Sequence, residues 1–472
     1  MSRTMDCDVC VIGAGAAGLS VAVGAAQLGA RTVLFEKGTM GGDCLNYGCV
    51  PSKALLAAAH AAHGVAQAGR YGIRAGAPEG DFAAVMRRVH AVIEQIAPHD
   101  SVERLEGLGV RVLGAPAQFT GREEVAGAGI TVRARRFVIA AGSAARIPPV
   151  RGIDEIGALT NETLFSLTRR PEHLLILGGG PVGVEMAQAF RRLGSAVTLL
   201  QRGRLLPREE PELVDALRAR LAAEGISIHE GAEVIEVARA AGGIVARYGQ
   251  GGEVVGSDLL AATGRQPRLT GLALERAGIE YTLGGIRVDA RLRTTNRRVF
   301  ALGDVIGAPQ FTHAAGYQAG IVIRNALFRV PARVDYRALP RVTYCDPELA
   351  QVGLTEAQAR ARFGAAVQVV RASLEDNDRA RAQGQTAGGI KVVTDRRGSI
   401  LGAGILGPQA GELIPVWGLA ISRGLRLSAL TNLILPYPTL GEISKAAASA
   451  FYAPKLFSPW PRRLVRLLRA LS

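Results

Sequence analysis

Cysteine is scarce in this chain: five in 472 residues, at Cys7, Cys10, Cys44, Cys49 and Cys345. That scarcity excludes a disulfide scaffold and reads as a cytoplasmic protein, where a disulfide is more often catalytic than structural. Long apolar runs are also missing, and without roughly 18 uninterrupted apolar residues no segment is expected to span a membrane. The opening Met1-Ser2-Arg3-Thr4-Met5-Asp6 is charged and runs straight into a strand pattern, so no signal peptide is expected. Aromatic residues are only 5% and do not interleave with the basic ones. The net charge of +15, mostly arginine and scattered, is therefore expected to be solvated surface rather than a nucleic-acid groove. Cys7 and Cys10 form a C-x-x-C, but Cys10 lies within Val9-Cys10-Val11-Ile12, which predicts a strand core. No resident metal is expected.

What the chain has in quantity is glycine (59) and apolar residues (48%), which suits closely packed α/β units and two to four domains at this length. One pattern occurs twice. Asp8-Val9-Cys10-Val11-Ile12 reads as a buried parallel strand and is followed by Gly13-Ala14-Gly15-Ala16-Ala17-Gly18. A helix is predicted next, then the strand Arg31 to Phe35, ending at Glu36 and Lys37. Later, Leu174 to Leu177 precedes Gly178-Gly179-Gly180-Pro181-Val182-Gly183, a helix, and the strand Ala196 to Leu200, ending at Gln201. A lone G-x-G-x-x-G is weak, but two in matched register predict two dinucleotide-binding βαβ units, each with a pyrophosphate at a helix N-terminus. The units differ where the ribose is read. Glu36 can accept hydrogen bonds from ribose hydroxyls, as the adenosine of a dinucleotide without a 2′-phosphate requires. Gln201 is neutral and is followed by Arg202, Arg204 and Arg208, which suits a 2′-phosphate and so NADPH, with NADH as the alternative.

Between the two units lies Gly41-Gly42-Asp43-Cys44-Leu45-Asn46-Tyr47-Gly48-Cys49-Val50-Pro51-Ser52-Lys53. On a helical segment, cysteines five apart could close a small disulfide that is easily reduced, releasing a thiolate toward a flavin. Two unpaired cysteines in a buried helix is the other reading.

This run resembles the redox-active segment of the pyridine nucleotide-disulfide oxidoreductases, the family of glutathione reductase, dihydrolipoyl dehydrogenase and mercuric reductase. Further segments resemble the family in order. Phe137 to Ser143, with Ala141 where threonine is usual before Gly142, is similar to the first interdomain crossing. Ala262-Thr263-Gly264-Arg265 is similar to the return crossing, and Thr295 to Gly303-Asp304 to the second FAD motif. From Tyr336 on, the chain resembles the dimerisation domain. The resemblance covers about residues 5 to 455. It implies two Rossmann-like dinucleotide-binding domains, for FAD and NAD(P), plus an α+β dimerisation domain in a homodimer. The expected division is 1–150 and 266–335 for FAD, 151–265 for NAD(P)H, 336–456 for dimerisation, and 457–472 for a tail. It also implies roles: Cys49 as the sulfur facing the flavin, Cys44 as the outer thiol, Lys53 projecting toward the flavin, Glu185 pairing with Lys53 near the nicotinamide, and Arg202 with Arg208 as the NADPH pair. Asp304 would bond the ribityl chain.

The departure lies near the C-terminus. Leu435-Pro436-Tyr437-Pro438-Thr439-Leu440-Gly441-Glu442 resembles the run that carries a catalytic His-Glu pair in disulfide-reducing members, but Tyr437 stands at the histidine position. Mercuric reductases also have tyrosine there, so the core is closest to theirs, although no cysteine follows Cys345 to form their C-terminal pair. The expected acceptor is thus a small molecule or soft metal ion. A dihydrolipoyl dehydrogenase or glutathione reductase-like enzyme, or a non-catalytic redox sensor recruited to membrane, are the rivals. After Glu442 there is no acidic residue. Arg462 to Leu471 alternates arginines with leucines at helical spacing, behind Trp460, so the tail could lie on an anionic membrane or dock on its own dimer.

Overall fold

The computed structural model describes residues 3–76, 80–249 and 251–471. It divides into two compact units. The first comprises residues up to Gly178, Ala189–Leu200 and Ala232–Val334; the second comprises Gly179–Gln188, Gln201–Gly231 and Asp335 onward.

The first unit is built on the strand Arg3–Ile12. Its apolar half pairs in parallel with Thr32–Glu36 (Val9 opposite Thr32) on one side and with Ile130–Ile139 (Val11 opposite Val138) on the other. Val110–Gly114 extends the sheet beyond Thr32–Glu36, and Val299–Ala301 joins along Ile130–Ile139, all parallel. Parallel strands covered on both faces read as unbroken apolar runs, and Val9, Cys10, Val11 and Ile12 are all buried. Cys7 and Cys10 are therefore core residues as expected, and burial pushes the Cys7 thiol up to about 12. An antiparallel pair, Gln118–Gly121 and Glu124–Gly127, completes the sheet. In the same unit the second repeat forms its own parallel set, with His173–Leu177 between Ala196–Gln201 and Asp258–Ala261.

The second unit holds a five-stranded antiparallel sheet in the order Pro340–Thr343, Glu348–Gly353, Ile400–Gly407, Gly389–Asp395, Val367–Ser373. Helices Pro415–Ser422, Leu427–Thr431 and Glu442–Leu456 supply the other half of its core, centred on the fully buried Trp417, whose Nε1 donates to Ser444 Oγ at 3.0 Å. A charge cluster around the buried Lys391 and Glu210 also belongs to this unit: Lys391 Nζ lies 2.7 Å from Glu210, 2.9 Å from Glu356 and 3.0 Å from the exposed Glu212. Among the described residues, no helix is long and apolar enough to cross a membrane.

Candidate active site

Each repeat turns from strand to helix at its glycines. Gly13 has φ +105°, and a Cβ there would strike the carbonyl oxygen of Ala140, so only glycine fits the turn. Gly178 repeats this with φ +112° against the carbonyl of Ala262. Helix Ala16–Gln27 opens directly after Gly15, and helix Pro181–Arg192 directly after Gly180. At Gly15 a Cβ would meet nothing nearer than Gly42 Cα at 3.9 Å, and at Gly180 nothing within 4 Å. Both turns thus leave open space at a helix N-terminus, the cradle a pyrophosphate requires. Gly18, by contrast, is packed against the carbonyl of Gly13, which seats the helix on its strand.

The two ribose positions are held alike but differ in charge. Glu36 Oε2 accepts from the Ala14 N–H at 2.6 Å and Oε1 from the Gly38 N–H at 2.7 Å, beside the exposed Lys37. Gln201 Oε1 accepts from the Gly179 N–H at 2.8 Å, the corresponding bond of the second repeat, and its Nε2 donates to the Arg204 carbonyl at 3.2 Å. One site therefore presents a carboxylate and the other a neutral amide. The three arginines that follow, Arg202, Arg204 and Arg208, are exposed, and Arg204 pairs with Asp215 at 2.6 Å.

The second expected FAD motif folds onto the first. Gly303 (φ +73°) lies so close to the helix after Gly15 that a Cβ would come within 3.1 Å of the Ala17 Cβ. Next to it Asp304 accepts from Ser143 Oγ at 2.6 Å, just past Ala141 and Gly142, and Arg265, following Gly264, reaches both Asp43 (2.9 Å) and Asp304 (3.5 Å). Burial raises the Asp304 pKa above the ordinary carboxylate value, opposed by the Ser143 hydrogen bond. Open space at Gly15, a bonded carboxylate at Glu36 and a partly buried carboxylate at Asp304 fit FAD.

Cys44 and Cys49 do not share a helix. Cys44 lies on the short helix Gly42–Asn46, and Cys49 is the first residue of Cys49–Ala66. A continuous helix would turn residues five apart by about 140° from one another, so the expectation of one helical segment is corrected: the chain breaks at Tyr47-Gly48. Asn161 Nδ2 holds this break by donating to Asp43 Oδ1 (2.9 Å) and to the Tyr47 carbonyl (3.2 Å). Both cysteines are thiols in this structure. The Cys44 thiol hydrogen-bonds the Cys49 sulfur and pulls its pKa down to about 6, against local desolvation of this exposed residue, with help from the Thr312 hydroxyl (Oγ1 to Sγ 3.3 Å) and the Lys53 charge. The same pairing, with burial, pushes Cys44 up. The helix N-terminus at Cys49 favours the anion there as well. Asn161 and Thr312 escaped the sequence reading because they stand far along the chain in no motif of their own.

In the second unit, Glu185 is buried on the helix that opens at Pro181, past Val182 and Gly183, and its Oε1 accepts from the Tyr344 N–H at 3.0 Å. One turn on, Gln188 clamps Asp346, accepting from its N–H at 2.7 Å and donating to its carbonyl at 2.7 Å. Tyr437 is exposed and donates its hydroxyl to Asp378 Oδ2 at 3.0 Å, which raises its pKa further. Glu442 does not orient it within the chain: Glu442 Oε2 accepts from the Thr439 N–H at 3.1 Å. Asp378, unmarked in the sequence, is the residue that Tyr437 touches.

Comparison with known proteins agrees with this geometry. Residues 7–319 match the model of the pyridine nucleotide-disulphide oxidoreductases, and residues 339–448 match the dimerisation domain of the same family. The chain is 41% identical to a mercuric reductase of Streptomyces lividans over 455 residues, covering 94% of this chain and 96% of that one. It is 36% identical to a dihydrolipoyl dehydrogenase of Thermus scotoductus over 460 residues, covering 94% and 97%. Among solved structures, the HOCl-induced flavoprotein disulfide reductase RclA from Escherichia coli superposes with a TM-score of 0.85 at 30% identity, covering 94% of this chain and 99% of that one; it is also described as a Cu(II) complex.

Proposed function

The chain belongs to the pyridine nucleotide-disulphide oxidoreductase family, a homodimeric FAD- and NAD(P)H-dependent oxidoreductase with a redox-active disulfide, and from that premise we propose that it delivers electrons to a thiophilic metal ion. The division into FAD (1–150, 266–335), NAD(P)H (151–265) and dimerisation (336–456) domains is part of this reading. The observation that carries it is the pair Cys44 and Cys49 beside Thr312, in which the shared hydrogen bond draws the Cys49 pKa down and pushes that of Cys44 up. Thiolates are the protein ligands that soft metal ions prefer.

Bound FAD supplies the two-electron relay between nicotinamide and dithiol. The residues around it do the rest. Glu36 and the Gly15 turn hold the adenosine end, while Asp304 and Ser143 hold the ribityl end. Lys53 places a positive charge by Cys49, and Thr312 donates to its sulfur. Arg202 and Arg208 receive the 2′-phosphate, so NADPH is the preferred donor. For mercuric ion the balance is NADPH + Hg²⁺ → NADP⁺ + Hg⁰ + H⁺, and no proton need be given to a leaving thiolate. This suits Tyr437, whose proton is held by Asp378, better than reduction of a large disulfide, which calls for an acid that titrates near neutrality.

The test is NADPH-driven turnover by the purified holoenzyme with mercuric ion, cupric ion, glutathione disulfide, lipoamide and a quinone. Fastest turnover of a metal ion is expected. Faster turnover of glutathione disulfide or lipoamide would replace the reading with a disulfide reductase, and one reduction followed by a stall would replace it with a sensor.

A second reading concerns the tail. Helix Pro459–Leu471 has no buried residue; Trp460 is 70% and Leu471 77% exposed, and its arginines oppose its leucines. A basic amphipathic helix of this kind fits peripheral contact with an anionic membrane. Full-length protein should co-sediment with anionic vesicles at low salt, and a chain ending at Phe457 should not. Loss of the dimer on truncation would instead make the helix a docking element between subunits.

A further inference from the structure

Six arginines crowd one groove of the first unit, away from the dithiol. The larger part encloses about 580 Å³ and is lined by Arg287, Arg291, Arg293 and Arg297; a contiguous part of about 390 Å³ shares Arg297 and adds Arg122 and Arg298. Three carboxylates lie among them, and each is already engaged. Glu280 pairs with Arg287 at 3.1 Å and Glu123 with Arg298 at 3.1 Å. Asp289 Oδ1 accepts from the backbone N–H groups of Arg291 (2.8 Å) and Arg293 (2.9 Å), which fixes the loop. Among the described residues, no carboxylate pairs with the side chains of Arg122, Arg291, Arg293 or Arg297. The Nε of Arg293 is buried with no acceptor, although its guanidinium packs over the Phe300 ring at 5.9 Å. A buried donor left without a partner is costly, and so is the mutual repulsion of unpaired guanidinium groups. The crowding reaches the neighbouring Arg136, whose pKa is lowered by burial and then by Arg298, Arg329 and Arg293.

The groove is not an extension of the FAD site. Strand Val299–Ala301 runs from Arg297 and Arg298 at its start to Gly303 and Asp304 past its end, so the two lie at opposite ends of the strand. Ligands of parallel sheets bind at the C-terminal ends of the strands, and this arginine groove is at the other end.

We propose that this groove is a second anion site, for a small polyphosphate such as pyrophosphate or the phosphate chain of a nucleotide. Guanidinium forks bind phosphate oxygens in pairs, and several unpaired forks around one groove call for a ligand carrying several phosphate charges. The volume is of the order of nucleotide-sized pockets. A nucleic-acid strand fits less well, because three carboxylates share the groove and, among the described residues, no aromatic side chain lines it for a base to stack on.

The test uses the FAD-loaded dimer with saturating NADP⁺, which fills the coenzyme site, and titrates inorganic pyrophosphate by calorimetry. One saturable site per chain is expected. Arg297→Gln, on an exposed side chain, should weaken it at least about tenfold, the loss of one charge-assisted contact. Arg293→Gln should act likewise; should that variant fail to fold, Arg297→Gln decides alone. Absence of saturable binding, or equal binding by wild type and Arg297→Gln, would overturn the proposal. So would an Arg297-dependent affinity for a DNA duplex or for anionic vesicles without affinity for pyrophosphate.

Discussion

Removing the Thr312 hydroxyl should raise the pKa of the Cys49 thiol. Thr312 Oγ1 lies 3.3 Å from Cys49 Sγ and is one of the groups that hold this sulfur at about 6. A hydrogen bond to a charged group contributes roughly 1.5–3 kcal/mol, and one pKa unit corresponds to about 1.36 kcal/mol. Sulfur is a weak acceptor, so the lower end applies and Thr312→Val should raise the pKa by about one unit, to about 7. The sign is that of a group whose charged form is stabilised in the folded protein: losing the donor makes the thiolate harder to form. At pH 7 the thiolate fraction should fall from about 90% to about 50%, and at pH 6 from about 50% to about 9%. The readout is the long-wavelength absorbance of a thiolate against oxidised flavin, measured as a function of pH after two-electron reduction. Its midpoint should move up in Thr312→Val and return toward wild type in Thr312→Ser, which restores the donor. An unmoved midpoint in Thr312→Val, or a Thr312→Ser value as high as that of valine, would refute the assignment of Thr312 as a donor to this sulfur.

Arg202→Glu should weaken NADPH use at least about tenfold, since one charge-assisted phosphate contact is lost, and NADH use far less; steady-state kinetics with both coenzymes decide, and equal losses would remove the 2′-phosphate role. Lys391→Met leaves Glu210 buried without its cation and should cost about 3–5 kcal/mol in urea unfolding, with part recovered by adding Glu210→Gln; a cost under about 1 kcal/mol would show that the cluster is not coupled. Glu212, held down to about 2 in the same cluster, should contribute stability above its unfolded pKa that is lost as pH falls from about 4.5 toward 2. Tyr437→His places an imidazole beside Asp378 and should raise reduction of glutathione disulfide or lipoamide at least about tenfold, the low side of what general acid catalysis supplies. Reduction of a metal ion should not change, and an equal gain for both acceptor classes would remove the proton-donor argument.

Much of this protein was legible in the chain itself, because its chemistry is carried by local backbone geometry. Gly13 and Gly178 are glycines since any Cβ would strike a neighbouring carbonyl, and the spacing to Glu36 and Gln201 follows from one strand, one helix and one strand. Short-range physics of this kind writes itself into a motif. The Cys44 to Lys53 run was readable for the same reason, and so was the charge difference between Glu36 and Gln201. Tertiary structure alone decided what meets across the fold. Thr312 reaches Cys49, Asn161 holds Asp43, and Asp378 takes the hydroxyl of Tyr437, from positions that no local pattern marks. It also decided that Cys44 and Cys49 stand on separate helices, because a single helix would turn them apart. The arginine groove belongs to the same class. Its residues look like ordinary surface charges along the chain, and only folding gathers Arg122 beside Arg297, with no carboxylate partner for either among the described residues.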